Sequence, residues 1–226
     1  MSPSASQTGR KRVVVFISGG GSNMLTLAKA CEATEWPAEI ACVISDKPAA
    51  GGLARAEALG IPTRVFERKD YAGKPEHEAA ILAALDEIRP DIICLAGYMR
   101  LLSAEFIRRH DGRILNIHPS LLPLFPGLHT HQRAIDAGMK IAGCSVHFVT
   151  EGMDEGPIVA QAAVPVISGD TADTLAARVL TVEHRLYPLA LKLVAEGTVR
   201  MEDGRAVTIP DTSATFADQM LISGGL

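Results

Sequence analysis

Hydrophobic residues along the chain come in short unbroken runs, separated by segments in which they recur at helical spacing. Residues 13–17 are apolar throughout and residues 91–97 nearly so, which is typical of strands covered on both faces. Residues 76–88 carry apolar positions at helical spacing and stop before Pro90. The repeated exchange of these two patterns up to Gly97 predicts an α/β fold with a doubly wound, mostly parallel, Rossmann-like sheet.

The pattern changes in the second half of the chain. Residues 141–149 alternate between polar and apolar, and the next strand follows without a helix, so the C-terminal strands are expected to pair antiparallel. We predict a single domain over residues 12–210, between a disordered arm at 1–11 and a flexible tail at 211–226. Strands are predicted at residues 13–17, 39–45, 63–66, 91–97, 113–115, 141–149 and 158–166, a hairpin at 201–209, and helices at 24–31, 51–60, 76–88, 103–110, 132–137 and from Thr171 or Asp173 to 196.

The strand predicted at residues 113–115 delivers Asn116 and His118 to its carboxyl end, where three prolines then prevent regular structure. Residues two apart in a strand point to the same face, so the amide and the imidazole are expected side by side. An amide donor beside a group that titrates near neutrality suits stabilising an oxyanion and moving a proton. The alternative is a simple turn in which His118 caps a loop carbonyl.

A glycine turn, Ser18-Gly-Gly-Gly-Ser-Asn23, lies between the first strand and the first helix. Free backbone N–H groups at a helix start bind phosphate in this layout, and Ser22 or Asn23 is expected to cap the helix and add donors. A dinucleotide motif is a second interpretation, with Asp46 as its ribose-binding acid, although Met24 stands where that motif needs a third glycine. A plain tight turn is the third interpretation, and a single-phosphate site fits best.

Composition narrows the possible functions. The 226 residues carry a net charge of −4, which gives no electrostatic basis for binding nucleic acid, and no segment is long enough to span a membrane. Four cysteines are scattered through apolar segments, as is typical of reduced cysteines in a cytoplasmic protein. We predict no metal site, because His118, His129, His131 and His147 show no metal-binding motif.

Seven motifs, in order over residues 12–200, resemble those of the phosphoribosylglycinamide formyltransferases, a folate-dependent family. They are Ile17-Ser-Gly-Gly-Gly-Ser-Asn23, Ala96-Gly-Tyr-Met-Arg-Leu-Leu102, Asn116-Ile-His-Pro-Ser-Leu-Leu-Pro123, Pro126-Gly-Leu-His-Thr-His131, Ser145-Val-His-Phe-Val149, Asp154-Glu-Gly-Pro157 and Glu183-His-Arg-Leu-Tyr-Pro188. The resemblance implies the formyltransferase fold and transfer of a formyl group from 10-formyltetrahydrofolate to the amine of N1-(5-phospho-D-ribosyl)glycinamide, a step of purine biosynthesis. It implies small-molecule substrates and a monomer or homodimer.

The resemblance also assigns roles to single residues. It implies that Asn116, His118 and Asp154 are catalytic. The phosphoribosyl substrate is expected at Gly21, Ser22, Asn23, Met24, Leu25 and Glu183, and the folate at Lys74, Met99, Arg100, Leu101, Leu102, Asn116, Thr150, Glu151, Gly152, Met153 and Asp154. This sequence departs from the family at Lys74, where an arginine is usual, so that charge is kept but bidentate binding of a carboxylate is lost. It departs again at Leu124-Phe125, which replaces a more polar pair.

The expected chemistry needs no covalent enzyme intermediate. Attack of the amine on the formyl carbon creates an oxyanion, which Asn116 and protonated His118 stabilise. His118, or a water held by Asp154, relays the proton to the departing folate nitrogen, and the carboxylate favours the imidazolium form. The alternative for Asp154 is an ordinary turn aspartate.

Other functions remain as alternatives. Methionyl-tRNA formyltransferase needs an additional RNA-binding domain, and the deformylase usually carries an N-terminal regulatory domain; the sequence pattern indicates neither. A dinucleotide-binding regulatory module would use the glycine turn and Asp46, but it leaves Asn116, His118 and Asp154 unexplained.

Overall fold

The computed structural model describes residues 9–208 of the chain, with a seven-stranded sheet at its centre and a separate two-stranded hairpin. The strands are β1 (Lys11–Ile17), β2 (Ala38–Ser45), β3 (Thr63–Val65), β4 (Ile92–Leu95), β5 (Ile114–His118), β6 (Ile141–Phe148), β7 (Ile158–Pro165), β8 (Val199–Glu202) and β9 (Arg205–Thr208). The helices are α1 (Ser22–Ala30), α2 (Gly51–Ala58), α3 (Lys74–Ile88), α4 (Ala104–Arg109), α5 (Thr130–Asp136) and α6 (Ala172–Ala195), with one turn of 3-10 helix at Arg68–Asp70. The hairpin predicted near residue 201 is formed by β8 and β9.

The strands of the large sheet lie in the order β3-β2-β1-β4-β5-β6-β7. The pairings from β3 to β5 are parallel, and those of β5 with β6 and β6 with β7 are antiparallel. The mostly parallel sheet with antiparallel C-terminal strands is therefore confirmed. The order of the strands reverses between β1 and β4, where Phe16 pairs with Leu95. Ligand sites of open α/β sheets form beyond the carboxyl ends of strands at such a reversal.

Strand β1 illustrates why an unbroken apolar run folds as a central strand. Val13, Val15 and Ile17 are fully buried on one face, in a layer shared with α1, α2, α5 and α6. Val14 and Phe16 are fully buried on the other face, against α3 and α4. Each of these five residues therefore contributes to one of two apolar layers, and a polar side chain at any of them would be unsatisfied.

Helix α6 connects the apolar layer to the carboxyl edge of the sheet. Thr171, one of the two residues predicted to start it, is the N-cap and forms a capping box with Thr174. The hydroxyl of fully buried Tyr187 lies 3.1 Å from the carbonyl oxygens of both Leu95 and Leu115, near the ends of β4 and β5. Glu183 lies one helical turn before Tyr187, so this contact places its carboxylate beside the edge where ligands are expected.

Several predicted boundaries differ from those observed, and the differences bear on the site. Helix α1 begins at Ser22, with Gly21 as its N-cap at φ 69°, and no side chain caps it. The predicted cap by Ser22 or Asn23 is therefore wrong, because both residues already lie in the first turn. Strand β5 continues through His118, and β1 includes Lys11, which the sequence pattern assigns to the arm. The predicted tail and residues 1–8 of the arm lie outside the described residues.

Candidate active site

Strands β5 and β6 bring an asparagine and a histidine opposite each other. Their antiparallel register pairs Asn116 with His147 and His118 with Ser145. The Nδ2 atom of Asn116 lies 3.2 Å from Nε2 of His147. Asn116 and His118 share one face of β5 by strand alternation, so the cross-strand pair adds a second imidazole to the predicted amide and imidazole.

Burial favours the neutral form of His147. The residue is 2% exposed, and burial lowers its pKa, an effect partly offset by the bond to the Phe148 carbonyl and by the charge of Asp154. Its Nδ1 lies 2.9 Å from the Phe148 carbonyl oxygen, which only accepts, so Nδ1 carries the hydrogen. In this neutral ring Nε2 is the acceptor, and the Asn116 amide donates to it. His147 therefore fixes which end of the Asn116 side chain faces β6.

His118 lies between two hydrogen-bond acceptors. Its Nδ1 is 3.4 Å from Oδ2 of Asp154, and its Nε2 is 3.0 Å from the carbonyl oxygen of Phe125. Both partners are acceptors, and neither can donate a hydrogen bond to the ring. The sequence left two alternatives for His118, a contact with a loop carbonyl and a pairing with the acid expected to assist it. In the structure His118 makes both contacts.

Two loops with unusual backbone conformations supply these acceptors. Phe125 lies in the proline loop, defined here as residues 119–129, and Asp154 lies in the β6–β7 loop; both have φ 55°. The left-handed region costs a residue with a side chain roughly 1–2 kcal/mol, so surrounding contacts must hold it. One contact joins the two loops, because the Gly127 N–H donates to Asp154 Oδ2 at 2.8 Å. In the β6–β7 loop, Gly156 packs so closely that a Cβ would lie 1.7 Å from the Phe148 carbonyl oxygen.

The glycine turn before α1 presents backbone N–H groups that no side chain caps. Gly21 has φ 69°, and a Cβ there would lie 2.8 Å from the Gly52 Cα, so only glycine fits this position. The first turn of α1 has neither a side-chain cap nor an acidic residue. The Leu25 N–H already donates to the Gly21 carbonyl at 2.9 Å, so the open amides belong to the three residues between them. This is the arrangement that binds an anion such as phosphate.

Asn23 and Glu183 form a buried polar pair beside the turn. The Asn23 Nδ2 atom donates to Glu183 Oε2 at 2.7 Å, and the two residues are 9% and 8% exposed. Burial raises the pKa of Glu183, while the bond from Asn23 and the proximity of His118 lower it. Asn23 Oδ1 is buried and has no partner within the described residues, so the pair suits a ligand that brings donors. The Met24 side chain is fully buried in the core, which leaves only its backbone for the turn.

A buried carboxylate fixes the segment that follows β4. Asp46 is 2% exposed; the Ser18 hydroxyl donates to its Oδ1 at 2.6 Å and Arg100 Nε donates to its Oδ2 at 2.8 Å. The Met99 N–H donates in turn to the Ser18 hydroxyl at 2.9 Å. Both oxygens of Asp46 are therefore engaged inside the protein, which argues against the ribose-binding role that a dinucleotide site requires.

The other residues assigned to folate lie in segments around the same edge. Lys74 Nζ is 3.7 Å from Glu78 Oε1, and this oxygen also accepts the Ser103 N–H at 2.9 Å, so Lys74 is linked to the end of the segment after β4. In the β6–β7 loop, Glu151 is exposed and forms an ion pair of 2.7 Å with Arg108. Leu102, Thr150 and Gly152 are half-buried.

Large apolar side chains are left exposed in these loops. Of the nine that are exposed in the described chain, five lie in residues 98–102, the proline loop or the β6–β7 loop: Met99, Leu101, Leu124, Leu128 and Met153. Single exposed apolar residues are common on any protein surface, but their concentration in site loops marks a binding surface. The arrangement fits a flat, largely aromatic ligand such as the expected folate.

Within residues 9–208, no group of three or more His, Cys, Asp or Glu residues could hold a metal ion. His131 Nε2 is buried without a partner in that range, and burial lowers the pKa of this histidine. None of the helices between these residues is long and apolar enough to cross a membrane.

Two contributors to the site escape the sequence analysis. His147 is assigned no role there, because its place opposite Asn116 follows only from the register of β5 with β6. Two signals could have drawn attention to it: the alternation of residues 141–149 and its position in the motif Ser145-Val-His-Phe-Val149. The sequence suggests a loop carbonyl as one alternative for His118, but it does not identify Phe125, because any residue provides a backbone carbonyl.

The chain is similar in sequence and in fold to known formyltransferases. Residues 11–191 match the family model described as formyl transferase. The chain is 46% identical over 196 residues to a phosphoribosylglycinamide formyltransferase of Haemophilus influenzae, covering 87% of this chain and 92% of that protein. A solved structure with the same enzyme name, from Brucella melitensis, is 73% identical with a TM-score of 0.80, covering 82% of this chain and 96% of that one.

Relatives of a second kind are much longer. The trifunctional purine biosynthetic protein adenosine-3 of Bos taurus is 49% identical over 200 residues, which is 88% of this chain but 20% of that protein. The chain therefore spans about a fifth of the length of these trifunctional relatives.

Proposed function

This chain belongs to the formyl transferase family, and we propose that it transfers the formyl group of 10-formyltetrahydrofolate to the amine of N1-(5-phospho-D-ribosyl)glycinamide. The products are the N-formyl ribonucleotide and tetrahydrofolate, in the purine biosynthesis that leads to IMP. The observation that carries the proposal is the position of His118 between Asp154 and the Phe125 carbonyl, with Asn116 on the same strand face.

The chemistry assigned to these residues is electrostatic stabilisation and proton movement. A bond forms between the substrate amine and the formyl carbon, and the bond from that carbon to the folate nitrogen breaks. Asn116 uses one amide hydrogen toward His147, and its second hydrogen stays available for the oxygen that becomes negative during the attack. His118 supplies a positive charge to the same oxygen, and the proton lost by the amine reaches the departing nitrogen through His118 or a water held by Asp154.

The phosphoribosyl substrate is assigned to the glycine turn and the pair behind it. Its phosphate would receive the open N–H groups at the start of α1, supported by Gly21, Ser22 and Asn23. Glu183 and the unpaired Asn23 oxygen would accept hydrogen bonds from the hydroxyl or amine groups of the substrate. Met24 would contribute through its backbone, and Leu25 through its half-buried side chain because its N–H is already bonded.

The folate is assigned to the loops that carry the exposed apolar side chains. Met99, Leu101 and Met153 would cover its aromatic rings, since their side chains are exposed and lie in loops fixed by Asp46 and Gly127. Arg100 and Lys74 would supply positive charge toward its carboxylates. We propose that these two small molecules are the partners of the chain. We propose a monomer or homodimer as its working unit.

The proposal is tested by incubating the purified chain with 10-formyltetrahydrofolate and one amine at a time, and identifying the products by mass spectrometry. We expect N-formylation of the glycinamide ribonucleotide. Its dephosphorylated form should react with a kcat/KM roughly 100-fold lower, because several charge-assisted hydrogen bonds to phosphate are lost. Equal rates for the two forms would contradict the phosphate site at the glycine turn.

The same assay separates the related functions. Release of formate without any amine would identify a deformylase, and formylation of methionyl-tRNA would identify the tRNA enzyme. Calorimetry with NAD and with a folate analogue provides a binding control, in which we expect heat of binding from the folate analogue alone.

A further inference from the structure

The proline loop supplies a backbone contact to each of the two paired catalytic side chains. The Phe125 carbonyl accepts from His118 Nε2 at 3.0 Å, and the Gly127 N–H donates to Asp154 Oδ2 at 2.8 Å. The loop itself is held in an unfavourable conformation, because Phe125 and His129 both lie in the left-handed region, at φ 55° and 58°. Something outside the loop must therefore keep these two contacts in place.

Arg133 of α5 makes three contacts with this loop. Its Nη1 donates to the carbonyl oxygens of Pro126 at 2.5 Å and of Leu128 at 3.3 Å. Its guanidinium carbon lies 5.4 Å from the centre of the Phe125 ring, within the range of a cation–π contact. The side chain thus contacts the loop on both sides of Gly127. A planar guanidinium suits this arrangement because it donates in its plane while its face covers a ring.

We propose that Arg133 is a positioning residue for the pair of His118 and Asp154, and that it acts by holding the proline loop. Within residues 9–208 the Arg133 side chain contacts loop carbonyls and the Phe125 ring, so its effect on turnover passes through the Phe125 carbonyl and the Gly127 N–H. The effect of Arg133 on turnover rests on the proposed function, but its effect on His118 is measurable in the protein without substrates. It also gives a role to the ring at Phe125, which replaces a more polar residue of the family.

The direction of a pH effect distinguishes positioning from a simple effect of charge. The titratable groups that interact with His118 are Asp154, His147, Glu183 of α6 and His131 of α5. If Arg133 holds the Phe125 carbonyl and the Asp154 carboxylate against the ring, its loss weakens the imidazolium, and the alkaline limb of activity moves to lower pH. If Arg133 acts only as a nearby positive charge, its loss favours the imidazolium, and the limb moves to higher pH.

The test compares Arg133→Met, which removes the donors and the charge, with Arg133→Lys, which keeps a charge and one donor. The control is Arg113→Met, because Arg113 likewise donates to a backbone carbonyl, that of Arg109 at 2.8 Å, although it is exposed whereas Arg133 is half-buried. For Arg133→Met we expect kcat to fall roughly tenfold, with both KM values changed less than about threefold and the alkaline limb moved to lower pH. For Arg133→Lys, kcat and the position of the alkaline limb should lie between those of wild type and those of Arg133→Met. For Arg113→Met, both should match wild type.

A second measurement does not depend on turnover. The ring nitrogens of His118 are titrated by nitrogen-15 NMR in the unliganded wild type and in both Arg133 variants. We expect the pH at the titration midpoint to be highest in wild type, lower in Arg133→Lys and lowest in Arg133→Met. An unchanged titration with unchanged kcat overturns the proposal, and so does a midpoint that rises in Arg133→Met. If the wild type fails to formylate the ribonucleotide, the proposed function is wrong, while the titration still decides the role of Arg133.

Discussion

The two halves of the candidate site differ in how their polar groups are satisfied. In the proposed catalytic cluster, defined as Asn116, His118, His147 and Asp154, each side chain has a partner supplied by the protein. In the substrate turn, defined as residues 19–23, the start of α1 has no side-chain cap. The adjoining Asn23 oxygen is buried without a partner in the described chain.

The difference corresponds to two requirements. Groups that stabilise a transition state work best when their dipoles are fixed beforehand, because nothing then has to reorganise as charge develops. Groups that bind a substrate gain most when they are unpaired in the free protein, because the substrate then satisfies them for the first time. Substitutions in the cluster should therefore lower kcat, whereas substitutions in the turn should raise KM.

The largest effect is expected from His118→Asn, which removes the charge placed near the developing oxyanion. We expect kcat to fall by roughly 10³-fold, with KM little changed, and the alkaline limb of the pH profile to disappear. The matched control is His110→Asn, because His110 is equally buried at 6% exposure and its Nδ1 also lies near a carbonyl, that of Phe106 at 3.1 Å. A similar loss of kcat in both variants would mean that the effect of His118→Asn comes from damage to the fold and not from the loss of a catalytic group.

Asn116→Ala should rank second. The loss of one oxyanion donor is expected to cost roughly 2–4 kcal/mol in the transition state, with substrate affinity little affected because the oxyanion forms only after the attack. Steady-state kcat and KM for both substrates measure this division. A large rise in KM at constant kcat would place Asn116 in binding rather than in chemistry.

Asp154→Asn should have a smaller effect, since the amide oxygen can still accept the Gly127 N–H. Removing the negative charge weakens the imidazolium of His118, so the alkaline limb should move to lower pH and kcat at neutrality should fall roughly 10- to 100-fold. A pH profile of kcat checks this, with Asp86→Asn as the control, because Asp86 forms an exposed ion pair of 2.7 Å with Arg109. An unmoved limb with wild-type rate would leave Asp154 as a turn residue.

Glu183→Gln gives the smallest effect and tests the other half of the comparison. Burial raises the pKa of Glu183, so its neutral form is favoured on folding. The stability due to this group is present at low pH and is lost as pH rises through the folded pKa. Glutamine imitates the neutral acid, so the Tm should match wild type in acid and exceed it by a few degrees near neutrality.

The same variant should bind the ribonucleotide less tightly. A hydrogen bond to a charged acceptor is replaced by one to a neutral amide, so KM should rise roughly tenfold while kcat changes little. Thermal melts at two pH values and initial-rate kinetics measure both effects. A variant that is less stable near neutrality would contradict the idea that a buried, incompletely satisfied carboxylate is kept for substrate.

The sequence by itself determined the parts that depend on local order. Unbroken apolar runs require burial on both faces, so they predict a parallel sheet, and the glycine turn before a helix predicts free N–H groups at its start. The motifs pointed to Asn116, His118 and Asp154, and the structure brings these three residues together.

Only the tertiary structure decided how these groups are held. The register of β5 with β6 places His147 opposite Asn116, and the fold of the proline loop brings the Phe125 carbonyl to His118. Neither contact leaves a pattern along the chain, because one depends on a pairing between strands that share no sequence signal and the other uses a backbone atom that every residue has. Local order selects the elements, but the distances on which catalysis depends are set where separate elements meet.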